Sequence, residues 1–255
     1  MGLFDFLKKK EQQKTAEETK ANTSEPYLGD LGKTNILFHL VQTPAAERDE
    51  KWQQLFLENV AQASFRCSDP QVITGPDGFP YFQLFLPEPH KSFNCYVIDR
   101  MKDDFLLERG LGIVINPTAN NADWVLSNGD IVNYHLNKEF YSDKEAFFSD
   151  KSGSFVVSAD EEVMIGQPSE SFFPENSKKL IRTYLEENGI IDTKILLMIR
   201  RNDMSQHLVF NLIPAYFDSE ESYNAVMRTI SWYLPKHYSL IGAAEETMAD
   251  GFARL

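Results

Sequence analysis

From residue 174 to residue 245 the apolar positions change period several times. Leu180, Ile181, Tyr184 and Leu185 form one helical stripe within the segment 177–187, with Pro174 before it and Gly189 after it as start and stop signals. Two apolar runs of strand length follow, Lys194–Arg200 and His207–Ile213, and Asn202-Asp-Met-Ser205 between them is a turn sequence. Asp218 and Glu221 are spaced as a capping box for the next helix. Tyr223, Val226, Met227, Ile230 and Leu234 then recur at helical spacing until Pro235 breaks the pattern before a last strand. The segment reads helix, strand, turn, strand, helix, strand.

The first half is patterned less regularly. Thr34–Val41 reads as a first strand, and Glu47–Ala63 as an amphipathic helix with Trp52, Leu55, Phe56 and Val60 on one face. Asp69-Pro70 and Gly75-Pro-Asp-Gly78 are breakers, the second a strong turn signal. Tyr81–Leu86 and Phe93–Ile98 read as paired strands joined through Pro87-Glu-Pro-His90. A helix over 99–109 ends at Gly110, a buried strand runs from Gly112 to Pro117, and a helix over 127–140 buries Ile131, Tyr134 and Leu136. Residues 142–153 form a loop, and Phe155–Gly166 a further strand pair. Strands alternate with helices, and several joins are hairpin-like. The expected class is therefore α+β: two mixed α/β domains with predominantly antiparallel or mixed sheets. The expected division is a tail over 1–28 with a short amphipathic start, one domain over 29–165 and a second over 166–255.

Composition narrows the choice of partners. The chain has 255 residues, 42% hydrophobic and 13% aromatic, enough for sizeable cores without staples. Its formal net charge is -13. Lys8, Lys9, Lys10, Lys14 and Lys20 balance Asp5, Glu11, Glu17, Glu18 and Glu25, so the whole acid excess lies beyond residue 28. An acidic body without a Lys/Arg stripe argues against nucleic acid and favours solubility or a basic partner. Cys67 and Cys95 are the two cysteines, too few for a disulfide framework. With no signal peptide and no long apolar run, the expected location is a reducing cytoplasm.

Three segments carry a family resemblance. Gly110-Leu-Gly-Ile-Val-Ile-Asn-Pro117 is an apolar strand ending in Asn-Pro. Gly78-Phe-Pro-Tyr-Phe82 through the helix at Asp99 is an aromatic strand followed by a helix. The third is the module from Gln167 to Glu245. In this order they resemble the bacterial SseB (enhanced serine sensitivity) family across most of residues 35–245. The resemblance implies a cytosolic protein of two α+β domains. It implies no settled activity, so it transfers no catalytic residue.

Read for chemistry, the chain offers isolated fragments. Gly32-Lys33-Thr34 ends like a phosphate-binding loop, but Tyr27 stands where the first Gly belongs and a strand-like run follows, so it reads as a surface turn. Gly110-Leu-Gly112 lacks the third Gly of a dinucleotide fingerprint and reads as a helix-to-strand turn. His135 and Glu139 share a helical face, two ligands where zinc needs more, while His39, His90, His207 and His237 are scattered. Cys95 alternates with Phe93 and Val97 as a small core residue. Asp99, Asp103 and Asp104 cluster at a helix start, where they favour the macrodipole.

The N-terminus is sharper. As a helix, Leu3, Phe4, Phe6 and Leu7 fall within an arc of about 160°, followed by Lys8, Lys9 and Lys10. That is the layout of an interfacial anchor, and equally of a segment that docks on its own body or frays in solvent. Phe6 stands where myristoylation expects Ser or Thr. The leading expectation is a non-enzymatic cytosolic interaction or adaptor protein with an unidentified protein partner and no cofactor, metal or catalytic residue. One alternative is an enzyme whose site is assembled from distant residues, Asp99, Arg100 or His135. The other is weak peripheral membrane contact through Leu3, Phe4, Phe6 and Leu7.

Overall fold

The computed structural model describes residues 28–119, 121–142, 162–248 and 251–255. Within them the fold is α+β, with six helices and two mixed sheets. The elements run α1 (Leu31–Leu40), α2 (Glu50–Val60), β1 (Val72–Thr74), β2 (Pro80–Leu84), α3 (Ile98–Met101, continuing as a π-helix over Lys102–Leu107), β3 (Gly112–Ile115), β4 (Trp124–Leu126) and α4 (Asn128–Asn137). After these come β5 (Val163–Gly166), α5 (Glu175–Glu187), β6 (Lys194–Arg200), β7 (Gln206–Phe210), α6 (Glu220–Trp232), β8 (Ser239–Gly242) and β9 (Ala253–Arg254).

The first sheet has the order β1-β2-β3-β4; β1 and β2 are antiparallel, β2 and β3 parallel, β3 and β4 antiparallel. The second has the order β5-β6-β7-β8, with β7 and β8 parallel and β9 pairing the start of β6. Each sheet therefore contains the same unit: a helix, a hairpin, a crossover helix and a strand parallel to the hairpin's second strand. In the first it is α2-β1-β2-α3-β3, in the second α5-β6-β7-α6-β8. No fixed sequence period announces this repeat, because side-chain burial and topology are shared while residue identities are not. Strand β5 straddles the boundary expected at 165/166 and hydrogen-bonds into the second sheet.

Alternation along the strands separates two faces of the first sheet. Phe82, Leu84, Ile113, Ile115 and Leu126 join Leu37, Trp52, Phe56, Val60, Ile98, Leu106 and Ile131 in one core. Tyr81 and Val114 point the other way and meet Trp232 of α6. In the second sheet, Ile195, Leu208 and Phe210 pack with Ile181, Leu185, Val226 and Ile230 of the two helices. Leu196, Met198 and Val209, on its opposite face, pack with Met248 and Phe252 of the C-terminal segment.

Several local expectations hold. The Gly75–Gly78 turn closes the β1–β2 hairpin with Gly75 N–H donating to Phe79 O at 2.8 Å. The helix expected over 127–140 does start there, at a reciprocal Ser127–Asp130 capping box, but it stops at Asn137. Gly189, at φ +77°, terminates α5, and Ile190 N–H returns to Leu185 O at 2.9 Å.

Others are corrected. Thr34–Val41 is helix, not strand: Asp30 caps it by accepting from Lys33 N–H at 3.0 Å, and Thr34 and Leu37 face inward at helical spacing. Gly32, Lys33 and Thr34 therefore lie in a helical first turn already capped by a carboxylate. Phe93–Tyr96 forms no strand, and Tyr96 makes a single bridge to Phe65. Pro87 and Pro89 cannot donate to a ladder, and β2 takes β3 as its neighbour instead. Ser219, not Asp218, caps α6, accepting from Ser222 N–H at 3.1 Å. Leu55 is exposed, and Asn59 is buried in its place on α2. Cys95 is half-buried, not a core residue.

Candidate functional site

The densest polar cluster lies where α3 passes α4. Gly110 stops α3 at φ +66°, and the π-helical turn ends with Leu111 N–H donating to Leu106 O at 2.9 Å. The wider helix brings Lys102 inward, its side chain 8% exposed. Lys102 Nζ donates to Asp99 O and to Asp103 Oδ2, each at 3.0 Å. Asp103 Oδ1 lies 2.7 Å from His135 Nδ1 on α4. Tyr134, one residue earlier, donates its hydroxyl to Asp99 Oδ1 at 3.2 Å. Burial would raise the Asp103 carboxyl, but hydrogen bonds from Lys102 and His135 outweigh it and hold the group below its ordinary value. Burial, reinforced by the Asp99 charge, pushes the Tyr134 hydroxyl up to about 12.

This places the sequence candidates. Asp99 and His135 belong to one network, joined through Asp103, Lys102 and Tyr134, which the sequence left unconnected. Arg100 is on the exposed side of α3. Glu139 does not share the His135 face: α4 ends at Asn137, Lys138 turns to φ +63°, and the Glu139 carbonyl accepts from Asn133 Nδ2 at 2.9 Å. Lys102 is the member sequence reasoning missed, since a buried lysine leaves no mark in a polar stretch. Tyr134–Asp99 and His135–Asp103 tie α3 to α4, and Lys102 links the two carboxylate residues within α3. Among the described residues no group of three or more His, Cys, Asp or Glu side chains is placed to hold a metal ion.

A second polar group sits in the second sheet. His207 on β7 is buried, with Nε2 at 3.0 Å from Ser205 Oγ and Nδ1 at 2.8 Å from Ser239 Oγ on β8. It bridges the end of the hairpin to the crossover strand. His39 and His90 are exposed.

The Asn116-Pro117 corner is a structural tie. Asn116, at φ +47°, accepts from Leu86 N–H through Oδ1 at 2.9 Å and donates from Nδ2 to Asp123 Oδ2 at 2.7 Å. Asp123 Oδ1 pairs with Arg48 at 2.6 Å, and Arg48 lies over the Trp52 ring. Asn116 thus joins the end of β3 to the segments just after β2 and just before β4, and Asp123 carries the tie to the loop before α2.

The largest unforeseen feature is the seat of α6. Trp232 stacks on Phe79, stands edge-on to Tyr81 at 5.2 Å, and donates Nε1–H to Gly110 O at 3.2 Å. Gly110 and Gly112, which form no phosphate cradle, line this seat: a Cβ on Gly112 would lie 2.9 Å from the Trp232 ring, and one on Gly110 2.7 Å from Tyr233. A Cβ on Gly129 would come within 1.9 Å of the Leu234 carbonyl oxygen. Beside it, Lys236 pairs with Asp130 at 3.0 Å, the carboxylate 1% exposed and the lysine 41%. Burial raises the Asp130 carboxyl, and Lys236 and the Ser127 cap pull in the opposite direction. The apolar stripe of α6 did not reveal this role because Trp232 lies on the opposite side of the helix from Val226 and Ile230.

Leu3, Phe4, Phe6 and Leu7 lie outside the described residues. Among those described, no helix is long and apolar enough to cross a membrane. No family model matches the chain, and no curated protein or solved structure matches it.

Proposed function

We propose that this protein is a non-enzymatic interaction protein that contacts its partner along the β5 edge. The observation that carries the reading is the state of that strand. Among the described residues Val163–Gly166 has a strand neighbour on one side alone, and it shows Met164 (37%) and Ile165 (44%) to solvent. Native edges are ordinarily protected by charge, proline or a bulge, and an unprotected apolar edge is a template for strand addition. The acid–base groups with the closest geometry support the same reading, since Asp99, Lys102, Asp103, His135 and Tyr134 hold one another across α3 and α4. We propose in addition a cytoplasmic location and an SseB-like identity.

A photo-crosslinking amino acid placed at position 164 in cells tests the edge. A discrete adduct with one second polypeptide, lost when Ile165→Lys is added, is the expected result. Intramolecular adducts alone would remove the reading.

A further inference from the structure

We infer that the turn Trp232–Lys236 is a releasable clamp between two self-cored units, and that its release uncovers an aromatic slot on the outer face of the first sheet. Each sheet has its own core, one built around Phe56, Phe65 and Phe82 and the other around Phe173, Phe210 and Ile230. Among the described residues the contacts between them centre on the end of α6 and the turn after it, with Tyr233 and Leu180 against Gly110 and Arg228 over Phe79. One indole fills the slot formed by Phe79, Tyr81 and Val114. One backbone segment at Leu234 lies directly on the first turn of α4, where Gly129 leaves no Cβ in the way. One ion pair, Asp130–Lys236, closes the side.

Contacts of this size between units of one chain hold an orientation without fusing the cores, so relative motion is the ordinary expectation. The ion pair sets which way it leans. Asp130 is fixed by its cap, accepting from Ser127 N–H at 2.7 Å through the same Oδ2 that meets Lys236. Lys236 reaches it from the half-exposed side, above the Tyr141 ring at 5.1 Å. Reversing the Lys236 charge would put two carboxylates together at a site from which Asp130 cannot withdraw. With the turn released, Phe79, Tyr81 and Val114 would form an apolar surface, and Arg228, which now lies 5.8 Å over Phe79, would leave with α6. This inference is independent of the β5 edge, which lies on the second sheet.

Three variants of the full chain test the clamp by solution scattering, circular dichroism and chemical unfolding. Lys236→Glu is expected to keep the wild-type secondary structure, raise the radius of gyration and split one unfolding transition into two. Lys179→Glu, the same charge change on the exposed side of α5, is expected to match wild type. Gly129→Ala is expected to behave as Lys236→Glu. Should Gly129→Ala fail to fold, Lys236→Glu still decides, since its side chain lies outside both cores. A Lys236→Glu protein with wild-type dimensions and a single transition overturns the clamp, as does a Lys179→Glu protein that opens equally.

Discussion

Trp232 lies flat on Phe79, with ring centroids 4.3 Å apart and planes 5° from parallel. The two residues belong to different units: Phe79 follows the β1–β2 turn, and Trp232 is the last residue of α6. An offset aromatic pair adds roughly 0.5–1.5 kcal/mol to the area it buries. Here the indole N–H is also satisfied by Gly110 O. Trp232→Phe keeps a ring and loses that bond along with part of the contact. Its expected cost is about 1–2 kcal/mol, read as a lower urea midpoint. Gly110 O would then be left without its indole donor, so a variant with wild-type stability would show that the indole bond contributes nothing.

The Asp130–Lys236 pair is asymmetric, and the asymmetry predicts an order of effects. Lys236→Met leaves a buried carboxylate without its cation, at a cost of about 1–3 kcal/mol near neutral pH, less than for a fully buried pair because the lysine is partly in water. Asp130→Asn leaves a lysine that is already partly in water, and retains a side chain able to accept from Ser127, so it costs less. Equal losses in the two variants, measured by urea titration, would contradict the burial argument.

The same pair has a pH signature. Burial holds the Asp130 carboxyl above its unfolded value, so its ionised form works against the fold. As pH falls through the folded value, Asp130 takes up its proton in the folded state first, and that penalty disappears. Removing Lys236 raises the carboxyl further and enlarges the penalty. The stability gap between wild type and Lys236→Met should therefore shrink between pH 7.5 and about 4.5. A gap that is constant or widens on acidification is the contrary result.

Asn116 separates backbone strain from side-chain bonding. Asn116→Ala removes the contacts to Leu86 and Asp123 and puts an alanine at φ +47°. Asn116→Gly removes the same contacts without the left-handed penalty of about 1–2 kcal/mol. The expected losses are about 2–4 kcal/mol for alanine and roughly 1 kcal/mol less for glycine. Indistinguishable midpoints for the two variants would mean that the positive φ carries no strain.

The amphipathic start can be examined separately. Co-sedimentation with anionic vesicles, comparing the full chain with one lacking residues 1–10, tests the alternative of membrane contact through Leu3, Phe4, Phe6 and Leu7. A weak, salt-sensitive pellet fraction lost on deletion is the expected outcome. Equal partitioning of both chains excludes the anchor.

Local chemistry made much of this fold legible. The β6–β7 hairpin, the α5 stop at Gly189 and the Ser127 start of α4 each depend on neighbouring residues whose preferences agree with the final structure, while α6 stops at Trp232, short of the expected break at Pro235. The errors fall where a distant partner decides. Thr34–Val41 contains enough β-branched and aromatic residues to pass for a strand, yet the Asp30 cap and packing against α2 make it a helix. Tyr81–Leu86 reads equally well as half of a hairpin with Phe93–Ile98, until β3 arrives in parallel beside it.

The polar sites follow the same division. Sequence spacing showed Asp99 and His135 as separate residues on separate helices; only the π-helical turn and the packing of α3 on α4 bring His135 to Asp103, which Lys102 joins to Asp99. Periodicity alone determined that the chain alternates helices and strands in an α+β arrangement, because a side chain's period reports which face its own element buries. It could not determine that α6 buries two faces, that Gly110, Gly112 and Gly129 leave room for a tryptophan and a backbone, or that Asp130 meets Lys236. Those contacts join residues more than a hundred positions apart, and their energy depends on distances that exist only once both sheets have formed.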